Sequence, residues 1–537
     1  MTRRLYPTLL LICALGLSGC AEEPAPAAWR LEPVVAGGSP FHGVHGLRFG
    51  ADGTLYATSV IGQSIFAVDV TTGTVETFVG PREGMADDLA IGPDGTFVWT
   101  AIEDGIVYAR SPAGEIRRLV TDRKGVNAVS FSPDGDRLFA TLVFYGDALY
   151  ELDIAGAREP RLIRENLGGL NAFEVGEDGM IYGPLSFGAR VVRIDPDTGD
   201  MTTVSDAFES TGALKLDARG GAYVLDTAAR ALKRVDLASG TTTTVAPLPF
   251  GADNLALDAN GQVFVSLSEV NAILAVDPAT GASRYIVEPA PLTSATGLAV
   301  TTEGGVDTLH IGDLFGGVKR IEATSGRLTP TPIDVFQPAH VSATGDHLLV
   351  VSEVFGAIQQ VDRRTYAKTA EWTDFTAPGD ALEAPDGTLV VAETGTGRVL
   401  RVRGPAVAER DVVADGLRGP RGLAWADADR TSVYVTEAGG GRLLRLTLDT
   451  GTQTVVAEGL RQPEGVALLP DGGIAVMEVA ARRLTRVAPD GTTAELAGAL
   501  PVGHANGPSL FRSLAVSPAA IYFNSDVENA VYRLTPP

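Results

Sequence analysis

Short polar residues recur along the first half of the chain at steps of forty-odd residues, each just before a short apolar run. They are His45, Asp87, Asn127, Asn171, Gly212 and Asp253. Carboxylates, amides and an imidazole that converge on one point can bind a hard divalent cation, with calcium the favoured ion. The expected metal ligands are Asp87, Asn127, Asn171 and Asp253. Alternatively, short polar residues begin these strands because they cap turns and face water. The sequence leaves both interpretations open.

Two further polar residues directly follow members of this set. Asp88 follows Asp87 and Asn254 follows Asp253. We expect both to contact a substrate, or to replace the residues before them if the strand register is shifted by one.

The second half of the chain carries a different set at the same step. Its members are Thr296, Ala339, Gly379, Arg421, Glu464 and Arg512. Because Arg421 and Arg512 flank Glu464 in this series, we predict an ion-pair plug or an anion site here and no metal.

Each of these residues begins one copy of a sequence repeat that occurs twelve times from residue 45 onward. Two copies match in the order of their apolar segments and in the placement of their turns: GLRFGADGTLYATSVIGQSIFAVDVTTG at 46–73 and NLALDANGQVFVSLSEVNAILAVDPATG at 254–281. Asp-Gly and Asn-Gly pairs between alternating apolar runs indicate hairpins. Four short strands in about forty residues are typical of one propeller blade. The predicted fold class is therefore all-β, in tandem β-propellers of four-stranded blades.

The repeat count also predicts the domains. Natural propellers have four to eight blades, so twelve copies favour two six-bladed rings, at 29–292 and 293–537, with seven plus five as the alternative. The last copy ends after its third strand. We hypothesise that residues 29–36 supply the missing strand and so tie the first ring to the second.

The first twenty residues are expected to be a targeting segment. Arg3 and Arg4 precede an apolar stretch that ends in Leu-Ser-Gly-Cys at Cys20. Residues 1–20 resemble a bacterial lipoprotein signal peptide with its lipobox, which implies a lipid on Cys20, a tether at 21–28 and a cell-envelope location on the outer membrane or the periplasmic face. An ordinary secretory leader that contains a cysteine is the alternative.

Charge and missing motifs exclude several functions. The formal net charge of −23 disfavours nucleic acid as a partner, because phosphates must be neutralised by Lys and Arg. The sequence has no Gly-x-Ser-x-Gly elbow, no phosphate-binding loop, no His-Glu-x-x-His and no Cys-x-x-Cys. Serine nucleophiles, nucleotide hydrolysis, zinc proteolysis and thiol redox chemistry are therefore disfavoured.

Two blades carry a family resemblance. VNAVSFSPDGDRLFATL at 126–142 and ADNLALDANGQVFVSLSE at 252–269 resemble blades of the SMP-30/gluconolactonase proteins, which are metal-dependent lactone hydrolases. The resemblance implies that Asn127 and Asn171 are the amides near the ion. It departs from the family at His45, where a Glu is expected, and at Gly212. Asp253 then becomes the expected general base, and His45 a substitute ligand or base.

The second half of the chain resembles NHL-type repeats. GPRGLAWA at 419–426 and QPEGVALLPDG at 462–472 have this style. The resemblance implies the competing function, a non-catalytic module that binds a small molecule or an envelope protein.

A series of acids recurs near the end of the second strand of many copies. They are Glu103, Asp226, Asp313, Glu353, Glu393, Glu437, Glu478 and Asp526. Because catalysis needs one or two such groups, we expect structural roles: accepting hydrogen bonds from the following turn, or pairing with Arg398, Arg442 or Arg482.

Overall fold

A computed structural model describes residues 29–81, 83–335, 337–405, 409–503, 511 and 513–536. The chain forms twelve four-stranded antiparallel sheets, which confirms the all-β prediction. The helical segments in the described ranges are two single 3₁₀ turns, Ser268–Val270 and Val479–Ala481. No helix among the described residues is long and apolar enough to cross a membrane.

Strand β1 spans Arg30–Val35, and the next six sheets follow it in chain order. The first three are β2 (Leu47–Phe49), β3 (Leu55–Ser59), β4 (Ser64–Val68), β5 (Val75–Val79); β6 (Leu89–Ile91), β7 (Phe97–Ala101), β8 (Ile106–Arg110), β9 (Ile116–Val120); and β10 (Val126–Phe131), β11 (Leu138–Leu142), β12 (Ala148–Leu152), β13 (Arg161–Glu165). The next three are β14 (Glu174–Val175), β15 (Ile181–Leu185), β16 (Arg190–Ile194), β17 (Met201–Ser205); β18 (Thr211–Leu216), β19 (Gly221–Asp226), β20 (Ala231–Asp236), β21 (Thr242–Pro247); and β22 (Leu255–Leu257), β23 (Val263–Leu267), β24 (Ala272–Val276), β25 (Ser283–Val287).

Six more sheets make up the second half of the chain. The first three are β26 (Ala295–Glu303), β27 (Val306–Asp313), β28 (Gly317–Glu322), β29 (Leu328–Pro330); β30 (His340–Thr344), β31 (His347–Ser352), β32 (Ala357–Asp362), β33 (Lys368–Trp372); and β34 (Pro378–Glu383), β35 (Leu389–Glu393), β36 (Arg398–Arg403), β37 (Glu409–Ala414). The last three are β38 (Pro420–Trp425), β39 (Ser432–Glu437), β40 (Arg442–Thr447), β41 (Gln453–Glu458); β42 (Pro463–Leu468), β43 (Ile474–Glu478), β44 (Arg483–Val487), β45 (Thr493–Ala497); and β46 (Leu514–Val516), β47 (Ile521–Ser525), β48 (Ala530–Thr535) with β1.

The hairpins form where the sequence places Asp-Gly pairs. Asp52 accepts a hydrogen bond from the Thr54 amide at 3.0 Å, and Gly53 has a φ of 83°, which favours glycine. This turn joins β2 to β3 and fixes their register.

The first strand of each sheet contacts the first strands of neighbouring sheets. In the first half, β2 contacts β6, and the series of contacts continues in order to β10, β14, β18 and β22. Strand β22 contacts β2 again. In the second half, β26 contacts β30 and β46, with β34, β38 and β42 between them. These contacts form two closed cycles of sheets, which we call the first and second rings. Strand β25 of the first ring ends at Val287, and β26 of the second begins at Ala295.

Apolar side chains fill the spaces between neighbouring sheets. Leu47 and Phe66 of the first sheet pack in one cluster with Phe264 and Ile273 of the sixth. Each fully buried side chain of this size contributes about 1.5–3 kcal/mol. Packing between sheets therefore holds the first ring closed.

Strand β1 closes the second ring. It pairs antiparallel with β48, and Arg30 lies opposite Thr535. The Arg533 guanidinium donates to Glu32 at 2.8 Å. This is the position that our hypothesis gave to residues 29–36.

Candidate functional site

The residues that open each repeat, here called opening residues, surround the start of a ring's channel. The amides of His45 and Asp87 donate to the carbonyls of Thr58 and Thr100, each in the second strand of its own sheet. The Thr58 hydroxyl in turn donates to the carbonyl of Asp87 at 2.7 Å, and the Thr100 hydroxyl to that of Asn127. These threonines link each sheet to the next and hold neighbouring opening residues together. These threonines were not predicted, although each of the first three copies carries a threonine in its second strand.

The threonine links give a stability prediction. Thr100 is fully buried, so Thr100→Val keeps the shape but removes the donor to Asn127. We expect a loss of about 1–2 kcal/mol in the free energy of unfolding, measured by denaturant titration. Thr241→Val in an exposed turn is the control and should change stability by less than about 0.5 kcal/mol. Equal effects of the two changes would contradict the role of the link.

Three predicted residues come together at the mouth of the first ring. His45 Nδ1 lies 3.5 Å from Asp253 Oδ2 and 3.9 Å from Asp87 Oδ1. The His45 and Asp87 side chains are largely buried, whereas Asp253 is partly exposed. Phe315 of the second ring lies edge-on against the imidazole, with ring centroids 5.7 Å apart. The cluster therefore faces the second ring.

The two carboxylates stabilise the charged imidazolium. Burial alone would lower the pKa of His45, but Asp253 and then Asp87 outweigh it and raise this pKa to about 9. Burial raises the pKa of Asp87 although His45 opposes the shift. At neutral pH His45 is therefore a cation held between two acids.

This charge makes stability depend on pH. The folded-state pKa of His45, about 9, lies above its ordinary 6.5, so its contribution is complete below pH 6.5 and is lost as pH rises to 9. We expect unfolding experiments to show falling stability across this window, and the His45 ring protons to titrate near pH 9 by NMR. In Asp253→Asn both the midpoint and the slope should decrease. A wild-type midpoint near 6.5 would contradict the ion pair.

The amides of the predicted set differ in their bonding. Asn127 is 2% exposed, and its Oδ1 has no hydrogen-bond partner among the described residues. Asn171 Oδ1 instead accepts the Ala172 amide at 2.9 Å. A buried, unpartnered acceptor is costly, so Asn127 Oδ1 is the amide oxygen free to bind a ligand.

The donors suit a divalent cation in type but are not arranged as a metal shell. Within the described ranges no group of three or more His, Cys, Asp or Glu side chains is set to hold a metal ion. The imidazolium of His45 occupies the space between Asp87 and Asp253. A divalent cation bound here would therefore be held by Asp87 and Asp253 after His45 loses its proton, with Asn127 Oδ1 as the candidate amide ligand.

Asp88 and Asn254 contact each other one position deeper in the channel. Asn254 Nδ2 donates to Asp88 Oδ1 at 3.3 Å, and the Val129 amide donates to Asp88 Oδ2 at 3.4 Å. Both side chains are buried, and burial raises the pKa of Asp88. Because Asp88 and Asn254 bond to each other, we describe them as part of the channel wall below the mouth.

A third polar layer was not predicted. Arg48, Glu174 and Lys215 form a buried ion-pair cluster at the other end of the first ring's inner strands. Each is the third residue after an opening residue, where the other first-ring copies carry Ala90, Ser130 and Ala256. The signal in the sequence was this charged residue at one repeated position.

The second ring has its own polar mouth. Arg421 Nη1 donates to Glu353 Oε1 at 2.9 Å, and Gln462 Nε2 donates to Glu464 Oε1 at 2.7 Å. Arg512 lies outside the described residues, so the plug of Arg421, Glu464 and Arg512 stays a prediction. Cys20, the predicted lipid site, also lies outside them.

The recurring acids are structural, but their partners differ from those expected. Most accept a hydrogen bond from an amide in the loop that leads into the first strand of their own sheet, not chiefly from the following turn. The pairs are Ser210 with Asp226, Thr293 with Asp313, Thr376 with Glu393, Arg418 with Glu437, Arg461 with Glu478 and Gly503 with Asp526. Each of these six acids therefore holds the loop that positions an opening residue.

The arginine partners also need correction. Arg442 pairs with Glu437 as expected. Arg398 pairs with Asp415 at 3.4 Å, and Arg482 donates to the carbonyl of Leu500 at 3.0 Å. Arg483, not Arg482, pairs with Glu478.

No protein-family model and no curated protein matches the chain, so the resemblance to SMP-30/gluconolactonase has no further support from sequence. Solved structures match at low similarity. The extracellular domain of the one-component system BT4673 of B. thetaiotaomicron is 12% identical over 94% of this chain and 82% of its own, with a TM-score of 0.34. Virginiamycin B lyase of Staphylococcus aureus is 14% identical over 69% of this chain and 96% of its own, with a TM-score of 0.24. A nidogen/laminin complex is 14% identical over 43% of this chain and 90% of its own, with a TM-score of 0.39.

The sheets and their arrangement define the class of protein. The chain is a β-propeller protein, built from four-stranded sheets around central channels. Propellers host catalysts, ligand-binding modules and scaffolds alike, so the class leaves the function to the site.

Proposed function

We propose that the mouth of the first ring binds a divalent cation, and that a lactone or ester is hydrolysed there. The observation that carries the proposal is the His45 cluster: a cation already lies between Asp87 and Asp253. Asn127, whose carbonyl is joined to Asp87 through Thr100, adds a buried, unpartnered Oδ1. Calcium is the favoured ion because most of the donors are oxygen.

The protein's own residues supply the rest of the chemistry. A bound divalent ion would polarise a lactone carbonyl and activate water. Asp253, the more exposed of the two acids, would accept a proton from an attacking water. Asp88 and Asn254 lie beneath the mouth and limit how deeply a substrate can enter.

The test is a calorimetric titration of calcium into chelator-stripped protein that lacks residues 1–20. We expect one site in the wild type and at least tenfold weaker binding in Asp253→Asn and Asn127→Ala, because each loses an oxygen ligand. Asp258→Asn, which removes the same charge from the turn between β22 and β23, should bind like the wild type. Calcium-dependent hydrolysis across a lactone panel then tests the activity.

Absence of calcium binding, or binding that the Asp253 and Asn127 substitutions do not change, would leave the alternative function, a non-catalytic binding module.

One observation favours that alternative. Phe144 and Phe187 are 63% and 62% exposed and contact each other with centroids 5.9 Å apart. Their turns pair with Gly125 and Gly169, just before the openings at Asn127 and Asn171. Exposed aromatic residues beside a channel mouth suit a small-molecule ligand or a protein partner.

We also propose the cellular setting that the first twenty residues imply. Lipid on Cys20 would attach the protein to a membrane of the cell envelope and place the site outside the cytoplasm. Radiolabelled palmitate incorporation into the full chain, and its loss in Cys20→Ala, is the expected result.

A further inference from the structure

The third residue after an opening residue lines a cavity at five of the six positions of the first ring and at all six of the second. In the first ring, Arg48, Glu174 and Lys215 lie opposite Tyr56, Tyr182 and Tyr223 in the neighbouring strand. The second-ring residues at this position are Ala299, Ser342, Leu382, Ala424, Ala467 and Ala515, which all line one cavity. The second ring therefore forms its cavity with no charged side chain at this position, so the fold itself does not require charges there.

The three charged residues of the first ring form one cluster. Arg48 Nη1 donates to Glu174 Oε1, and Lys215 Nζ lies 3.7 Å from the same oxygen. The Leu216 amide donates to Glu174 Oε2 at 2.8 Å. One carboxylate thus serves two cations and an amide.

Lys215 is incompletely bonded. The residue is 4% exposed, and its 3.7 Å contact with Glu174 is longer than a hydrogen bond. In the part of the chain that the structure describes, Lys215 Nζ donates to no other residue. Arg48 likewise has one hydrogen bond there, to Glu174, so four of its five N–H donors remain.

A gain in stability does not explain why Arg48, Glu174 and Lys215 are buried. Desolvation costs several kcal/mol for each buried ion, and apolar residues at such positions are often as stable or more so. The alanines of the second ring show this replacement within the same chain. A ligand that completes the bonding of Arg48 and Lys215 accounts for the cluster.

The cluster opens into a cavity large enough for such a ligand. A cavity of about 700 Å³ reaches Arg48 and Glu174 and is lined by Phe131, Tyr182 and Leu216. A smaller one of about 280 Å³ is lined by Arg48, Glu174 and Lys215. The first volume is typical of small-molecule sites, which combine apolar walls with a few polar groups.

The charges favour an anion at the floor of the cavity. Two basic side chains, Arg48 and Lys215, face the single carboxylate of Glu174. Burial and then Arg48 lower the pKa of Lys215, and a carboxylate bound beside it would raise that pKa again. Of the acids at the rim, Asp217 is paired with Arg234 at 2.7 Å. Asp178 accepts the Tyr182 hydroxyl at 2.9 Å.

We propose that this end of the first ring's channel binds a small organic carboxylate, held by Arg48 and Lys215, with its apolar part against Phe131 and Leu216. The site is separate from the mouth at His45 and does not depend on the function proposed there.

The test uses benzoate as the probe and benzamide as its neutral counterpart, by calorimetry on the folded protein. We expect millimolar or tighter binding of benzoate and no binding of benzamide. Lys215→Met, which leaves Arg48 and Glu174 paired, should weaken benzoate about 10- to 100-fold because a charge-assisted hydrogen bond is lost. Lys368→Met removes the same charge from the surface of the second ring and should bind benzoate like the wild type.

A measurement on the wild type guards against a variant that does not fold. Benzoate should slow acetylation of Lys215 by acetic anhydride, followed by peptide mass spectrometry, without slowing that of Lys368. Equal binding of benzoate and benzamide, unchanged affinity in a folded Lys215→Met, or no protection of Lys215 would each overturn the proposal. Calcium titration is unaffected by these outcomes, so the two sites are tested separately.

Discussion

Asp313→Ala is expected to destabilise the second ring by about 3–5 kcal/mol, because removing one partner of a buried pair leaves an uncompensated charge. The Asp313 carboxylate is fully buried and accepts hydrogen bonds from the amides of Thr293 and Ser294. Lys319 Nζ donates to it at 2.6 Å and is itself buried. Chemical unfolding followed by tryptophan fluorescence measures the loss.

Glu103→Ala is the matched control. Glu103 lies in the turn after the second strand of the second sheet, two residues beyond β7, and its side chain is 45% exposed and pairs with Lys124 at 3.3 Å. We expect a change below about 1 kcal/mol, as for other exposed ion pairs. If Asp313→Ala and Glu103→Ala cost the same, burial is not the reason for the large effect.

Removal of strand β1 is the second change with a large expected effect. A chain that begins at residue 37 should lose roughly 3–5 kcal/mol from the second ring, because several ladder hydrogen bonds of about 1 kcal/mol each disappear. Strand β48 also becomes an exposed edge, which promotes association between molecules. Thermal unfolding and light scattering measure the two effects.

A chain that begins at residue 29 retains the strand and serves as the control. Addition of a synthetic peptide of residues 29–36 should partly restore the stability of the shorter chain. If the chains that begin at 29 and 37 melt at the same temperature and both stay monomeric, the pairing of β1 with β48 does not hold the ring closed.

Local patterns made most of the fold predictable. Alternating apolar runs and Asp-Gly turns such as Asp52-Gly53 act over a few residues, so they determine hairpins that the sequence displays directly. The place of β1 followed from counting strands in the last repeat. The partners of the recurring acids were not predictable, because Asp226 at the end of β19 accepts from Ser210 just before β18, and the docking of that loop has no local signature.

The candidate site was predictable only where it follows the repeat. His45, Asp87 and Asp253 share one position in their copies and do meet at the mouth. The protonation states of these side chains could not be predicted from the sequence, because they depend on distances and burial in the folded protein. Arg48 and Glu174 lie 126 residues apart and look like ordinary charged residues of alternating strands, so only comparison of all copies at one position reveals them.

The closing strand also imposes an order on biosynthesis. Strand β1 emerges from the ribosome first, but its partner β48 begins only at Ala530. At about 5–20 residues per second, the strand waits roughly half a minute to two minutes for that partner. Its sequence suits this delay, because Pro33 and the charges of Arg30 and Glu32 discourage pairing with strands of other chains. The residues that close the ring last are thus also the ones that must remain soluble longest while the chain is being made.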